Sequence, residues 1–270
     1  MKTWSLTKRN KFKTCPKQYY YHYHLTNEQS YDPTILAFKK AKHKKNYAMV
    51  QGIIVHEIIS ELVAKDIKTF DNAKEIMYNI VDKFSCEYSD WENDFKVTIP
   101  MRIQNYFNSK TFELLQDENV VIKSVEDFEY VVWNNVKIYI VIDLLLYDKS
   151  TKTFYIIDWK TGKPSSNDYE QLKMYSSHVY MAANFNRNTH SIIGINEYLT
   201  PEDNRTVKHD LNNHSIENEN HTMFLSSYLE INKLGTDENN FKNNVGKHCH
   251  YCPYHELCPM FQYYQQKGEI

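Results

Sequence analysis

The residues that invite a chemical reading are Asp143, Asp158 and Lys160, in the runs VKIYIVIDLLLY and TFYIIDWK. Both runs are rich in Val, Ile and Tyr, and the polar stretch Asp148–Lys152 between them predicts a β-hairpin. A turn centred on Ser150 and Thr151 sets Asp143 directly opposite Asp158. Two carboxylates facing each other among apolar neighbours repel. A divalent cation, Mg²⁺ or Mn²⁺, bound between them offsets that cost. Lys160 follows Asp158 by two residues, so strand periodicity places it on the same face. Two acids and a lysine converging on one face suit metal-assisted hydrolysis. In an arbitrary hairpin such acids are solvated strand ends. Here each aspartate interrupts an apolar run, which favours a site.

Other candidates surround this set. His56, within GIIVHEIIS, is either a structural histidine or a nitrogen ligand for the same metal. Gln171 and Tyr175 are spaced i, i+4 and share one helix face, where an amide and a phenol can orient a catalytic side chain or a phosphate. Five cysteines stand at 15, 86, 249, 252 and 258. An odd number does not make a disulfide framework, and three within ten residues ask for a metal. Spacing alone leans to zinc, with His248, His250 and His255 as alternative ligands. Cys86, in an apolar helix, reads as a small buried hydrophobe.

The elements that must position these groups follow from periodicity. Helices are expected over 15–24, 51–66, 71–89, from Asp168 to Asn184 and near 221–234, with 98–118 more helical than extended. On the second of them, positions 54, 55, 58, 59, 62 and 63 form an apolar stripe. Strands are expected over 120–133, 136–147, 153–159, 191–199 and 205–210, the first two joined by a tight turn at Asn134–Asn135. The sum is an α/β chain without internal repeats or a Pro/Gly/Ser-rich linker.

At 270 residues, with 41% hydrophobic and 24% charged, a sizeable core is expected and wholesale disorder is excluded. No apolar run approaches the roughly 20 residues of a membrane helix, and MKTWSLTKRNKFKT lacks an apolar signal core, so an intracellular protein is expected. Net charge is only −2, but residues 1–50 hold eleven Lys/Arg against two acids. That segment, with Lys39, Lys40, Lys42, Lys44 and Lys45 in a flexible stretch, is either a polyanion-binding arm or a solvated face.

Read in order, GIIVH, VEDFEYVV, VID ending at Asp143, IIDWKTG around Asp158 and QLKMY from Gln171 to Tyr175 resemble the RecB-type branch of the PD-(D/E)XK nuclease superfamily. Cys15 followed by Pro16 and aromatics, with Cys249-x2-Cys252-x5-Cys258-Pro259 far downstream, resembles its iron–sulfur members, among them CRISPR-associated RecB-like exonucleases and AddB-type nuclease domains. The resemblance runs from about Ser5 to Phe261. It implies a restriction-endonuclease-like core, a central mixed sheet flanked by helices, within one domain: a basic region over 1–50, helices over 51–120, the catalytic core over 120–210 and a cluster-binding tail over 211–270. It makes His56, Asp143, Asp158 and the Trp159 carbonyl the metal ligands and Lys160 the catalytic lysine, with Gln171 and Tyr175 matching the motif that follows. It turns the cysteine reading from zinc to a [4Fe–4S] cluster on Cys15, Cys249, Cys252 and Cys258, joining the two ends of the chain. One departure is Ile140, where the family usually has Gly.

The implied activity is that of a metal-dependent DNA exonuclease, acting on single-stranded ends in recombination, repair or CRISPR adaptation. The basic segment and its tyrosines would guide and stack the strand. No Walker sequence is present, so a helicase partner would be a separate chain. The rival reading is a cluster-bearing DNA-binding subunit with an idle site, and RNA is a further possible substrate.

Overall fold

A computed structural model describes residues 2–181, 185–202 and 204–268. The chain divides into two compact units, Asn46–His221 and a second formed by Lys2–Lys45 with the segment from Thr222 onward. In the second unit, β1 (Lys2–Trp4) is followed by α1 (Leu6–Thr14), α2 (Pro16–Tyr23) and α3 (Pro33–Lys42). The Asp32 carboxylate accepts from the Thr34 and Ile35 amides and Pro33 opens the first turn, so α3 has a strong start. Lys39, Lys40 and Lys42 therefore stand on a helix, not on the flexible stretch expected from their composition. Phe12, Tyr19, Tyr20, Tyr21, Phe38, Phe241 and Tyr254 form the core of this unit. Burial of the three tyrosines removes them as stacking surfaces for a nucleic-acid strand.

The first unit opens with α4 (Tyr47–Ala64), capped by the Asn46 side chain on the Met49 amide. It starts four residues before the expected helix. Its residues 54, 55, 58, 59, 62 and 63 are all buried, as the apolar stripe requires. Of the described helices, α4 has the length and apolarity of a membrane span, yet this stripe lies in a core shared with α5 (Phe70–Glu87) and α6 (Glu92–Phe107). The ambiguous 98–118 stretch divides because Ser109 caps α7 (Lys110–Leu114), its hydroxyl accepting from the Phe112 amide. Cys86, on α5, is exposed, so its reading as a buried hydrophobe fails.

The sheet of this unit holds β2 (Val120–Trp133), β3 (Val136–Asp148), β4 (Thr153–Lys160), β5 (Ser191–Leu199) and β6 (Asn204–Asp210) in that order. All neighbours are antiparallel except β4 and β5, which are parallel and joined through α8 (Ser166–Met181). The result is a mixed open sheet flanked by helices, the α/β class expected. The expected end of α8 at Asn184 lies outside the described residues. Both turns have the residues their geometry demands. Asn134 and Asn135 have φ of 49° and 59°, as a two-residue type I′ turn requires. Asp148 takes the Ser150 and Thr151 amides on one carboxylate oxygen, closing the β3–β4 turn. Gly194 lies against Leu172 and Leu211, and a Cβ there would come within 3.0 Å of both, so α8 depends on this glycine to lie close on β5. α9 (Ser215–Lys233) begins earlier than expected and the division between units falls inside it; α10 (Pro259–Gln266) closes the described chain.

Candidate active site

The β3–β4 ladder has the register read from the turn, Asp148 against Thr153 through Leu144 against Ile157. Its next rung is Asp143 and Asp158, and both are buried, 6% and 1% exposed. The pair does not close as a ladder rung; instead the Trp159 amide donates to Asp143 Oδ2 at 2.7 Å. Asp158 Oδ2 accepts from Lys160 Nζ at 2.6 Å and from the Asn196 amide nitrogen of β5 at 2.8 Å. His209 on β6 holds Asn196 in turn, 3.1 Å from its Oδ1. Burial favours the protonated carboxyls and pushes both aspartates up, against the pull of His56 on Asp143 and of Lys160 on Asp158.

Lys160 is the hub on the far side. Its ammonium donates to Gln171 Oε1 at 2.9 Å and lies 3.8 Å from Asp168. Gln171 in turn donates to the Tyr175 hydroxyl, so the i, i+4 pair acts as one bracket. Burial works against the charge on Lys160, but the neighbouring Asp158 carboxylate outweighs it and raises the pKa. Tyr175 is held well above its usual range by burial and then by Asp158 and Asp143.

His56 reaches the site from α4. Its Nδ1 lies 2.9 Å from Glu126 Oε1 and 3.7 Å from Asp143 Oδ2, and its Nε2 lies 3.0 Å from the Trp159 carbonyl. Those oxygens only accept, so both ring nitrogens carry protons. Burial favours the neutral ring, yet Asp143 and Glu126 prevail and push its pKa up to about 9. Gly52, one turn earlier, lets α4 approach the strand end: a Cβ there would stand 3.3 Å from Thr161 Oγ1. Buried Arg102 on α6 fixes the same strand end, donating to the Thr161 carbonyl at 2.9 Å and to Gln51 at 2.7 Å. A groove of about 870 Å³, lined by Met49, Ile53, His56, Glu126 and Thr161 among others, opens beside these groups.

All the residues picked in the middle of the sequence thus meet in one network, with one addition. Donor atoms of His56, Glu126 and Asp143 lie within 4.8 Å of one another, a grouping fit for a metal ion, whereas Asp158 is turned toward Lys160 and Asn196. Glu126 was not among the expected ligands. The Asn134–Asn135 turn sets it opposite Asp143 by the same register argument that pairs Asp143 with Asp158. Its φ of 52° is a left-handed conformation that costs a glutamate about 1–2 kcal/mol, strain of a kind that collects at functional sites. Ile140, the departure from the family pattern, is buried at 2% on β3 and pairs with Glu129.

In the second unit, Cys15, Cys249, Cys252 and Cys258 line one small cavity with Tyr21, Tyr254 and Phe261. Cys15 Sγ accepts from the Asn244 amide at 3.5 Å. Burial, with the other thiols adding to it, pushes the Cys252 thiol up to about 11. Of the alternative ligands, His248 and His255 line the same cavity, but each has a ring nitrogen committed to a carbonyl, of Asn244 and Cys252 respectively. His250 packs on Phe261. Among the basic candidates, Lys39 and Lys42 are half-buried, Lys39 donating to the Glu28 carbonyl and Lys42 to the Thr26 hydroxyl. Lys40, Lys44 and Lys45 are exposed, and Lys44 lies 3.6 Å from Glu256.

A search among curated proteins gave no match. The family model of the PD-(D/E)XK nuclease superfamily matches residues 3–259, nearly the whole chain. With the mixed sheet and the Asp143–Asp158–Lys160 network behind it, this match means that the chain belongs to the PD-(D/E)XK nuclease superfamily, a family of metal-dependent nucleases.

Proposed function

We propose that this nuclease is a DNA exonuclease of the RecB type acting on single-stranded ends. The observation that carries the catalytic part is the buried pair Asp143 and Asp158 with Lys160 on Asp158 and His56 beside Asp143. Carboxylates, an imidazole and the Trp159 carbonyl are the oxygen and nitrogen donors that Mg²⁺ or Mn²⁺ takes. His56, Asp143, Asp158 and that carbonyl would hold the ion, with Glu126 at hand as a further oxygen donor. Such an ion polarises the scissile phosphate and lowers the pKa of the attacking water. Lys160 places its ammonium where negative charge grows on the phosphate. Gln171 and Tyr175 keep that ammonium aimed, and Asn196 holds the Asp158 carboxylate from behind. His56 would have to give up the proton on one ring nitrogen to serve as a ligand.

For the cysteines the reading is a [4Fe–4S] cluster on Cys15, Cys249, Cys252 and Cys258. What supports a shared site is that all four thiols line one small cavity of the second unit, and four thiolates can hold either an iron–sulfur cluster or zinc. Lys40, Lys44 and Lys45 are the exposed remainder of the basic stretch and the proposed contacts to phosphates.

The test is a cleavage time course on end-labelled single-stranded DNA, duplex DNA and RNA, with Mn²⁺, Mg²⁺ or EDTA. The reading expects metal-dependent release of short products from single-stranded DNA ends. Binding without cleavage under every metal would instead support an idle, DNA-binding subunit.

A further inference from the structure

The β2–β3 hairpin extends well beyond the metal-binding residues. β4 covers β3 only over Leu144–Asp148, whereas β2 pairs with β3 out to the rung of Trp133 and Val136. One side of this arm is buried, through Val131, Trp133, Val136, Ile138 and Ile140. The other carries Phe128, Tyr130 and Val132, which are 67%, 46% and 38% exposed. Their rung partners are Val141, Tyr139 and Lys137, so alternation gathers these six on one face. The Phe128 and Tyr139 rings stand 4.7 Å apart, Tyr130 and Tyr139 6.4 Å, and Lys137 Nζ sits 4.2 Å from the Tyr130 ring centroid. None of the six is acidic. The row begins two residues from both Glu126 and Asp143. A contiguous exposed aromatic row of this kind marks an interaction surface.

We propose that this face is a stacking platform for the unpaired bases of the strand being cut, an inference that rests on the nuclease reading above. Aromatic side chains hold bases of any sequence, because every base has a π-face. Neighbouring rungs on the same face are about 6.7 Å apart, roughly twice the 3.4 Å step of a nucleic-acid strand, so bases lie against the exposed outer faces of Phe128 and Tyr130, the Phe128 and Tyr139 rings being already in contact with each other. Lys137 supplies a cation for the backbone at the distal end. A duplex keeps its base faces stacked inside and cannot use the row, so the arm selects single strands. The occupant is the substrate itself, because the row is continuous with the strands that bear Glu126 and Asp143. Tyr19, Tyr20 and Tyr21 of α2, buried in the other unit, cannot serve.

The experiment compares binding, in EDTA, of a labelled thymidylate oligomer of about 15 nucleotides with an abasic oligomer carrying the same phosphates. Fluorescence anisotropy of the wild type is expected to show thymidylate held about tenfold tighter or more, given the usual size of base–aromatic stacking. Phe128→Ala with Tyr139→Ala should bring thymidylate down to the abasic affinity and leave abasic binding unchanged. Phe128→Tyr with Tyr139→Phe should keep the preference, which separates stacking from a folding defect. Equal affinity of the wild type for both oligomers overturns the proposal. So does an equal loss on both oligomers in the alanine variant. A wild type that is dimeric in sedimentation velocity, with a monomeric alanine variant, also overturns it, since a second copy then covers the face. Failure of the nuclease reading shows separately, as absence of Mn²⁺-dependent cleavage in a protein that retains the base preference.

Discussion

Asp158 and Lys160 share one strand face, and their ion pair is where metal binding and catalysis separate. Lys160→Ala removes an ammonium that touches no proposed metal ligand except Asp158. The variant should keep the rise in melting temperature caused by Mn²⁺ while losing about a hundredfold or more in kcat, the usual cost of one preorganised charge donor. Loss of the thermal shift as well would make Lys160 a structural counter-ion. His56 gives a second test. Its pKa is pushed up to about 9 from 6.5, so the folded protein binds its proton more tightly than the unfolded chain. That contribution to stability is complete below about pH 6.5 and is lost as pH rises through 9. Burial pushes Asp143 in the same direction, so its ionisation adds to the loss. In EDTA the melting temperature should therefore fall between pH 6 and 9, and the rise caused by Mn²⁺ should grow over the same range. A melting temperature in EDTA that climbs across this window would contradict the assignment of charges.

The two hairpins and α4 carry the site between them. The register of β3 with β4 was legible because the polar stretch Asp148–Lys152 between two apolar runs centres the turn on Ser150 and Thr151. The same reasoning, applied to Asn134–Asn135, reaches Glu126. That residue was missed because VEDFEYVV offers three acids, and because its left-handed backbone is a tertiary feature that no local propensity announces. α4 was legible from its stripe, but not the need for Gly52, which arises only where the helix meets Thr161. Gly52→Val should push that helix off the strand end and displace His56. A shift of about 1 Å at a catalytic group costs on the order of a hundredfold, so metal-dependent cleavage should fall by that order with helix content unchanged by circular dichroism. Full activity in this variant would show that the approach of α4 to Thr161 does not position His56.

Across the whole molecule, composition was the poorest guide where the same residue type serves two ends. Tyrosines suit a base platform and a core equally well. Phe12, Phe241 and Tyr254, distant in sequence, put Tyr19, Tyr20 and Tyr21 in the core, while Phe128 and Tyr130 stand exposed on the hairpin. Lysines were likewise divided by partners that spacing does not reveal, Glu28 and Thr26 holding Lys39 and Lys42. The meeting of Cys15 with the C-terminal cysteines was readable only through family resemblance, since no spacing rule spans such a separation. If these thiols hold an iron–sulfur cluster, protein purified without oxygen should be brown, with a broad visible absorbance shoulder. Cys252→Ser should lose the colour and much of its solubility. A colourless wild type with stoichiometric zinc would contradict the cluster and leave the four-cysteine site standing.

The central claim is that Asp143 and Asp158 jointly hold the catalytic ion, and Asp158→Ala addresses it most directly. Cleavage of end-labelled single-stranded DNA with Mn²⁺ should be abolished in the variant. Its melting temperature in EDTA should fall below that of the wild type, because the largely buried Lys160 ammonium and the Asn196 side-chain amide lose the carboxylate they donate to. Mn²⁺ should raise the melting temperature of the wild type and not of the variant, since only the intact site binds the ion in the folded state. Normal cleavage by Asp158→Ala would contradict the account outright and put the active site elsewhere.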